Sequence, residues 1–172
     1  MNAHSRSTLE CQLKEEAETI AVGAALASAF VELRVRAPSK PLCLHLLGEL
    51  GAGKSTLARA LLRALGVTGK IKSPTYALVE PYDSAHGLLL HMDLYRLTEA
   101  AELEYLGIDS LFAQAALMLI EWPQKAGALL PEPDLKICLS HNSDASDEGR
   151  RLEVSAISVS GNLLMPKLAA FF

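Results

Sequence analysis

Two rhythms of apolar and polar residues run along the chain, and the switches between them outline its elements. After a short strand expected at Thr8 to Leu13, apolar residues at Ala17, Ile20, Ala21 and Ala24 recur with i, i+3, i+4, i+7 spacing and predict an amphipathic helix. Pro38 and Pro41 close that segment. Leu42 to Leu47 is then an apolar run of strand length ended by glycines, which reads as a buried strand. From Lys54 to Leu65, KSTLARALLRAL is built of strong helix formers, with Leu57, Leu61, Leu62 and Leu65 along one face and Gly66 as the stop. Further apolar runs at Tyr76 to Val79, Leu88 to Met92, Ala116 to Ile120, Leu135 to Leu139 and Leu152 to Val159 predict strands, with a helical pattern between Thr98 and Leu106. The fully apolar runs LLLHM and ALMLI suggest central strands covered on both faces, whereas the alternation in RLEVSAISV suggests an edge strand with one wet side. The expected fold is α/β with a mixed sheet, part parallel and part antiparallel.

Length and composition narrow this picture. A chain of 172 residues, half of them hydrophobic and 21% charged, suits one globular domain over residues 1–172 with a core of ordinary size. The formal charge of -4 is not the basic footprint that tracks a phosphate backbone, which argues against tight, direct binding of nucleic acid. Cys11, Cys43 and Cys138 lie far apart, with no C-x-x-C spacing and no neighbouring histidine at ligand spacing, so a reducing cytoplasm fits them best. The charge-free stretch from Thr19 to Val31 is too short to span a bilayer, and Glu10, Glu15, Glu16 and Glu18 stand where a signal peptide needs a cationic start and an apolar run. A cytoplasmic protein without membrane contact is the expectation. The polar, acidic stretch from Asn142 to Gly149 reads as a surface loop.

The sharpest chemical signal is Gly48-Glu49-Leu50-Gly51-Ala52-Gly53-Lys54-Ser55, followed by Thr56, which fits G-x-x-x-x-G-K-[ST] at every fixed position between the buried strand and the helix. Glycines let such a loop turn its N–H groups inward, and the N-terminus of the next helix adds its positive dipole end, so the loop cradles a triphosphate. Lys54 is then the cation for the β- and γ-phosphates, and the Ser55 hydroxyl one ligand of Mg²⁺. Such a loop needs a carboxylate near the metal at the end of a neighbouring buried strand. ALMLI runs into Glu121, followed by Trp122 and Pro123, and LLLHM runs into Asp93, followed by Leu94, Tyr95 and Arg96. Either acid fits that position, and either could instead cap the following turn. His91 and His45 sit inside apolar strands, as hydrogen-bonded core histidines do.

The succession GELGAGKST, SPTYALVEPY, HMDLYRL, ELEYLGI, IEWPQ and LPEPDL, in this order and spacing, resembles the TsaE family from about Glu15 onward. The resemblance implies a three-layer P-loop NTPase-like fold, ATP with Mg²⁺, and hydrolysis of ATP in the synthesis of N6-threonylcarbamoyladenosine beside the tRNA anticodon, together with the TsaB and TsaD proteins. It implies that contact with tRNA passes through that complex. It assigns Glu121 to Mg²⁺ with Ser55, and makes Asp93 an essential acid facing the nucleotide, either orienting water or standing in the outer shell of the metal. Ser73-Pro74-Thr75 matches the switch-like loop of the family, where the Thr75 hydroxyl senses the γ-phosphate or Mg²⁺. Thr19 stands where the family has a threonine near adenine, and Gly149-Arg150 matches a late glycine-arginine pair associated with nucleotide. Trp122 is expected at the phosphates or the Thr75 loop. Lys54, Asp93 and Glu121 are thus the candidate catalytic residues. The competing readings are a small-molecule kinase, which would carry an arginine-rich lid that this sequence lacks, and an ATP-binding adaptor with little turnover. A GTPase would need N-K-x-D and D-x-x-G, and neither string occurs.

Overall fold

The computed structural model describes residues 7–142 and 149–170, so most of the acidic stretch at 142–149 lies outside the described residues. Seven strands form one sheet: β1 (Thr8–Leu13), β2 (Leu42–Leu47), β3 (Val79–Ser84), β4 (Gly87–Asp93), β5 (Ala115–Glu121), β6 (Leu135–His141) and β7 (Arg150–Ala156). Their order is β1-β7-β6-β2-β5-β4-β3. β2 runs parallel to β5 and β6, and β5 parallel to β4, while β3, β7 and β1 are added antiparallel at the flanks. The helices are α1 (Glu16–Arg36), α2 (Lys54–Ala64), α3 (Glu102–Tyr105), α4 (Ile108–Gln114) and α5 (Val159–Ala169). This is the mixed α/β architecture expected.

The period of two along each strand sorts the core into two layers. Leu44 and Leu46 of β2, Leu117 and Leu119 of β5 and Leu89 of β4 join the helices α1, α2 and α5 in the larger cluster. Cys43 of β2, Met118 and Ile120 of β5 and Leu90 and Met92 of β4 face the other way, toward Leu103 of α3 and Ile108 of α4. Helices therefore cover both faces, which is why β4 and β5 carry no polar alternation. Asp134 ties three elements together: its carboxylate accepts from the Cys43 amide at 2.9 Å and from the Ser158 hydroxyl that caps α5. No helix among the described residues is long and apolar enough to cross a membrane.

Five expectations are corrected. The first helix forms, but the face expected from Ala17, Ile20, Ala21 and Ala24 lies outward, with Ile20 48% exposed, and Val22, Leu26, Phe30 and Leu33 meet the core instead. Tyr76 to Val79 is not a strand: Tyr76 is 84% exposed in a loop, and β3 begins only at Val79, where pairing with Met92 starts. The 98–106 pattern condenses into the single turn of α3, and α4 follows it behind a left-handed Gly107 that the apolar spacing does not mark. The strand expected to run to Val159 ends at Ala156, and Val159 opens α5 because Ser158 Oγ accepts the Gly161 N–H at 3.1 Å. β7 is also not an edge: its alternation reports one wet face, but β1 pairs along its free side and takes the edge itself.

Candidate nucleotide site

The loop from Gly48 to Lys54 leaves β2 at the carboxyl end of the parallel strands, the position where open α/β sheets place their ligands. Gly48 has φ +139°, and a Cβ there would stand 2.1 Å from the Leu139 carbonyl oxygen, so β6 excludes any side chain at this turn. Gly53, at φ +105°, hands the chain into α2 from the left-handed region. Among the described residues the amides of Gly51 and Gly53 pair with no backbone carbonyl, and the first-turn amides of α2 lack intrahelical partners by geometry. This set of inward donors fits the oxygens of a polyphosphate.

Lys54 is 4% exposed, and its ammonium donates to the Gly48 and Glu49 carbonyls, each at 2.8 Å. Burial pulls its pKa below the ordinary lysine value, and the negative charges of Glu121 and Asp93 partly restore it. Ser55 Oγ donates to Glu121 Oε2 at 2.8 Å, although 66 residues separate them in the chain. The hydroxyl and carboxylate form a hard oxygen pair of the kind Mg²⁺ prefers. No group of three or more His, Cys, Asp or Glu among the described residues could hold a metal alone, so a metal here would depend on phosphate oxygens as well.

β4 and β5 pair so that Asp93 lies beside Glu121, and period two puts both on the α2 face. Asp93 is 5% exposed. Its Oδ2 accepts from Ser73 Oγ at 2.7 Å and Thr75 Oγ1 at 3.1 Å, and its Oδ1 from the Tyr95 amide at 3.1 Å. Three donors thus hold one carboxylate, two of them from the 73–75 loop. Trp122 departs from the sheet in a left-handed turn, at φ 57° and ψ 46°, a conformation rare for a bulky side chain. The following proline disfavours the right-handed alternative, and the ring is held by the Lys54 ammonium 4.2 Å from its centroid and by Tyr95 at 5.1 Å.

These groups line one cleft of about 460 Å³, which gathers Lys54, Ser55, Thr56, Thr75, Asp93 and Glu121 with Leu50, Gly51, Gly53 and Trp122. A second hollow of about 180 Å³ joins it at Gly51, Gly53 and Thr56, and is lined by Thr19, Ala52 and Arg150. Glu49 is exposed and lines neither hollow; only its backbone carbonyl reaches the site, through Lys54. The structure also adds residues to which sequence reasoning attached no site role: Ser73, which shares Asp93 with Thr75, and His91, whose Nε2 lies 2.8 Å from Glu121 Oε1. The serine of the Ser-Pro-Thr string was a visible signal for the first; the second had none, because the pair meets across two strands. Arg96 and Tyr95, which the sequence left undecided, border the cleft, with the guanidinium 4.4 Å from the Tyr76 ring centroid.

Comparison with known proteins places this geometry. The family model described as Threonylcarbamoyl adenosine biosynthesis protein TsaE matches residues 13–152. A Haemophilus influenzae protein named tRNA threonylcarbamoyladenosine biosynthesis protein TsaE is 44% identical over 117 residues, covering 68% of this chain and 72% of its own. A Bacillus subtilis protein of the same name is 32% identical over 126 residues, covering 73% of this chain and 77% of its own. The crystal structure of Bacillus subtilis YdiB superposes with a TM-score of 0.73 at 27% identity, covering 98% of both chains.

Proposed function

The chain belongs to the TsaE family, and from that premise we propose that it binds and hydrolyses ATP with Mg²⁺ in the biosynthesis of tRNA threonylcarbamoyladenosine. The observation that carries the proposal is the Ser55 hydroxyl on the Glu121 carboxylate at 2.8 Å, at the mouth of a loop whose glycines and lysine fit a triphosphate. In this reading the loop amides and Lys54 would bind the phosphates, and Ser55 with Glu121 would hold the metal. Bound Mg²⁺ would neutralise charge developing on the phosphate oxygens. Asp93, beside Glu121 at the end of the neighbouring strand, is the proposed acceptor for the attacking water. Attack forms a bond from the water oxygen to the γ-phosphorus and breaks the bond to the β–γ bridging oxygen, leaving ADP and phosphate.

Thr75 and Ser73 both donate to Asp93 Oδ2, so a γ-phosphate or Mg²⁺ that drew either hydroxyl away would change how the loop is held. The second hollow, with Thr19 and Arg150, suits the nucleoside end. TsaB and TsaD are the proposed partners, with tRNA reached through them in the cytoplasm. A net charge of -4 agrees with tRNA being bound elsewhere in such an assembly. Among the described residues no arginine besides Arg96 borders the phosphate cleft, so the chain alone should be a slow ATPase and the assembly a faster one. Phosphate release should be measured with the chain alone and with TsaB, TsaD and tRNA added. Stimulation in the mixture supports the proposal; equal turnover in both would overturn the dependence on partners, and negligible turnover in both would leave an ATP-binding adaptor.

A further inference from the structure

Among the described residues, His91 is the one fully buried ionisable side chain in contact with the site to which the proposed chemistry assigns no work. It lies two residues before Asp93 on β4, pairs with Leu119 of β5, and shares the sheet face of Glu121. Its ring is 0% exposed. Nε2 is 2.8 Å from Glu121 Oε1, and Nδ1 has no hydrogen-bond partner. A carboxylate only accepts, so this contact requires the hydrogen on Nε2. The imidazole is therefore a single-purpose donor. A ring kept only to fill the strand interior would gain from being apolar, because its second nitrogen is buried unsatisfied.

The two oxygens of Glu121 divide their partners between Ser55 on Oε2 and His91 on Oε1. A carboxylate held at one oxygen cannot rotate freely about its terminal torsion, so the other oxygen keeps a fixed direction. Groups that hold a metal ligand in this way tune affinity without touching the metal. We propose that His91 is a positioning residue for Mg²⁺ binding: by donating from Nε2 to Glu121 Oε1, it keeps Oε2 turned to the Ser55 hydroxyl, the oxygen pair that would hold the metal. The inference rests on the proposed Mg²⁺-ATP reading of the site.

Two experiments test it. In the first, ATP binding is followed by titration calorimetry in EDTA and across a Mg²⁺ series, for the wild type, His91→Leu and His91→Gln, with thermal melting as a check on folding. The Mg²⁺ concentration for half-maximal enhancement of ATP binding should rise about tenfold in His91→Leu, as for other residues that orient metal ligands. Metal-free ATP binding should not move, and His91→Gln, whose amide can still donate, should recover most of the difference. A folded His91→Leu with the wild-type Mg²⁺ response overturns the positioning role alone; a wild type with no Mg²⁺ response overturns the reading beneath it. The second experiment needs no variant at this position. Long-range proton–nitrogen spectra of ¹⁵N-histidine-labelled wild type should show His91 as the Nε2–H tautomer, with a ring shift in Glu121→Ala. An Nδ1–H tautomer would overturn the inference even if the leucine variant failed to fold.

Discussion

The two walls of the phosphate cleft are built differently. One wall comes from strand ends and a helix start: Glu121 and Lys54 are 1% and 4% exposed, and their partners His91 and Ser55 are fixed by the sheet and by α2. The opposite wall comes from the loop before β3, where Ser73 and Thr75 are half-buried and Tyr76 is 84% exposed. Asp93 belongs to both: it ends a buried strand, yet two of its three donors come from the loop. Each wall also contains a left-handed non-glycine residue, Trp122 after Glu121 and Leu78 at the end of the loop. In the proposed reading, holding phosphate and metal would fall to the wall built of strand ends and a helix start, and sensing them to the loop wall, whose side chains are only half-buried.

The largest effect should come from the fixed wall. Lys54→Ala should weaken ATP binding by about 100-fold and bring hydrolysis to background, since it removes the buried cation that the proposal assigns to the phosphates. Calorimetry and phosphate release check this, and near-normal affinity would detach the lysine from the site. Next, Glu121→Ala should lower Mg²⁺-dependent turnover by about 100-fold while changing metal-free ATP binding less than about threefold, because the loop amides stay in place. Normal turnover with unchanged Mg²⁺ dependence would remove Glu121 from the metal.

Thr75→Ala tests the loop wall, and should cost about tenfold in turnover with little change in affinity. A loss as deep as that of Glu121→Ala would erase the distinction between the walls. Trp122 offers an optical probe between them. Its ring touches the Lys54 ammonium and Tyr95, so ATP with Mg²⁺ should shift or quench its fluorescence saturably, and Lys54→Ala should suppress the response. An unaltered spectrum at saturation would make the ring a packing anchor only.

The smallest effect concerns β2, the strand that delivers the loop. Burial pushes the Cys43 thiol up from the ordinary 9.0 to about 12, with the charges of Asp134 and Glu132 adding to the rise. A folded pKa above the unfolded one means that the unfolded chain releases this proton first, so stability should decline as pH rises through that window. Cys43→Ala should flatten the alkaline slope of thermal melting by a few degrees at most. An unchanged slope would assign the alkaline loss to other groups.

How far the sequence could be read follows from how local each signal is. The phosphate loop was legible because eight consecutive residues specify it, and LLLHM and ALMLI because full burial leaves an unbroken apolar run. The acids ending those runs were visible as candidates, but only the register between β4 and β5 shows that Asp93 and Glu121 stand side by side. Tyr76 to Val79 misled because apolar content alone cannot tell a strand from a loop whose ring is left in water. The helix from Val159 was hidden by an alternation that continued past the true end of β7, and its start is set by the Ser158 cap.

By itself, the sequence determined the α/β class, the phosphate loop and the family, since these depend on spacing along the chain. Tertiary structure alone decided which face each acid takes, that β1 rather than β7 forms the edge, and that His91 meets Glu121 across 30 residues. The physical reason is the same in each case. A hydrogen bond or strand pairing between distant segments is set by register and by the twist and stacking of whole elements, and no short window of residues encodes either.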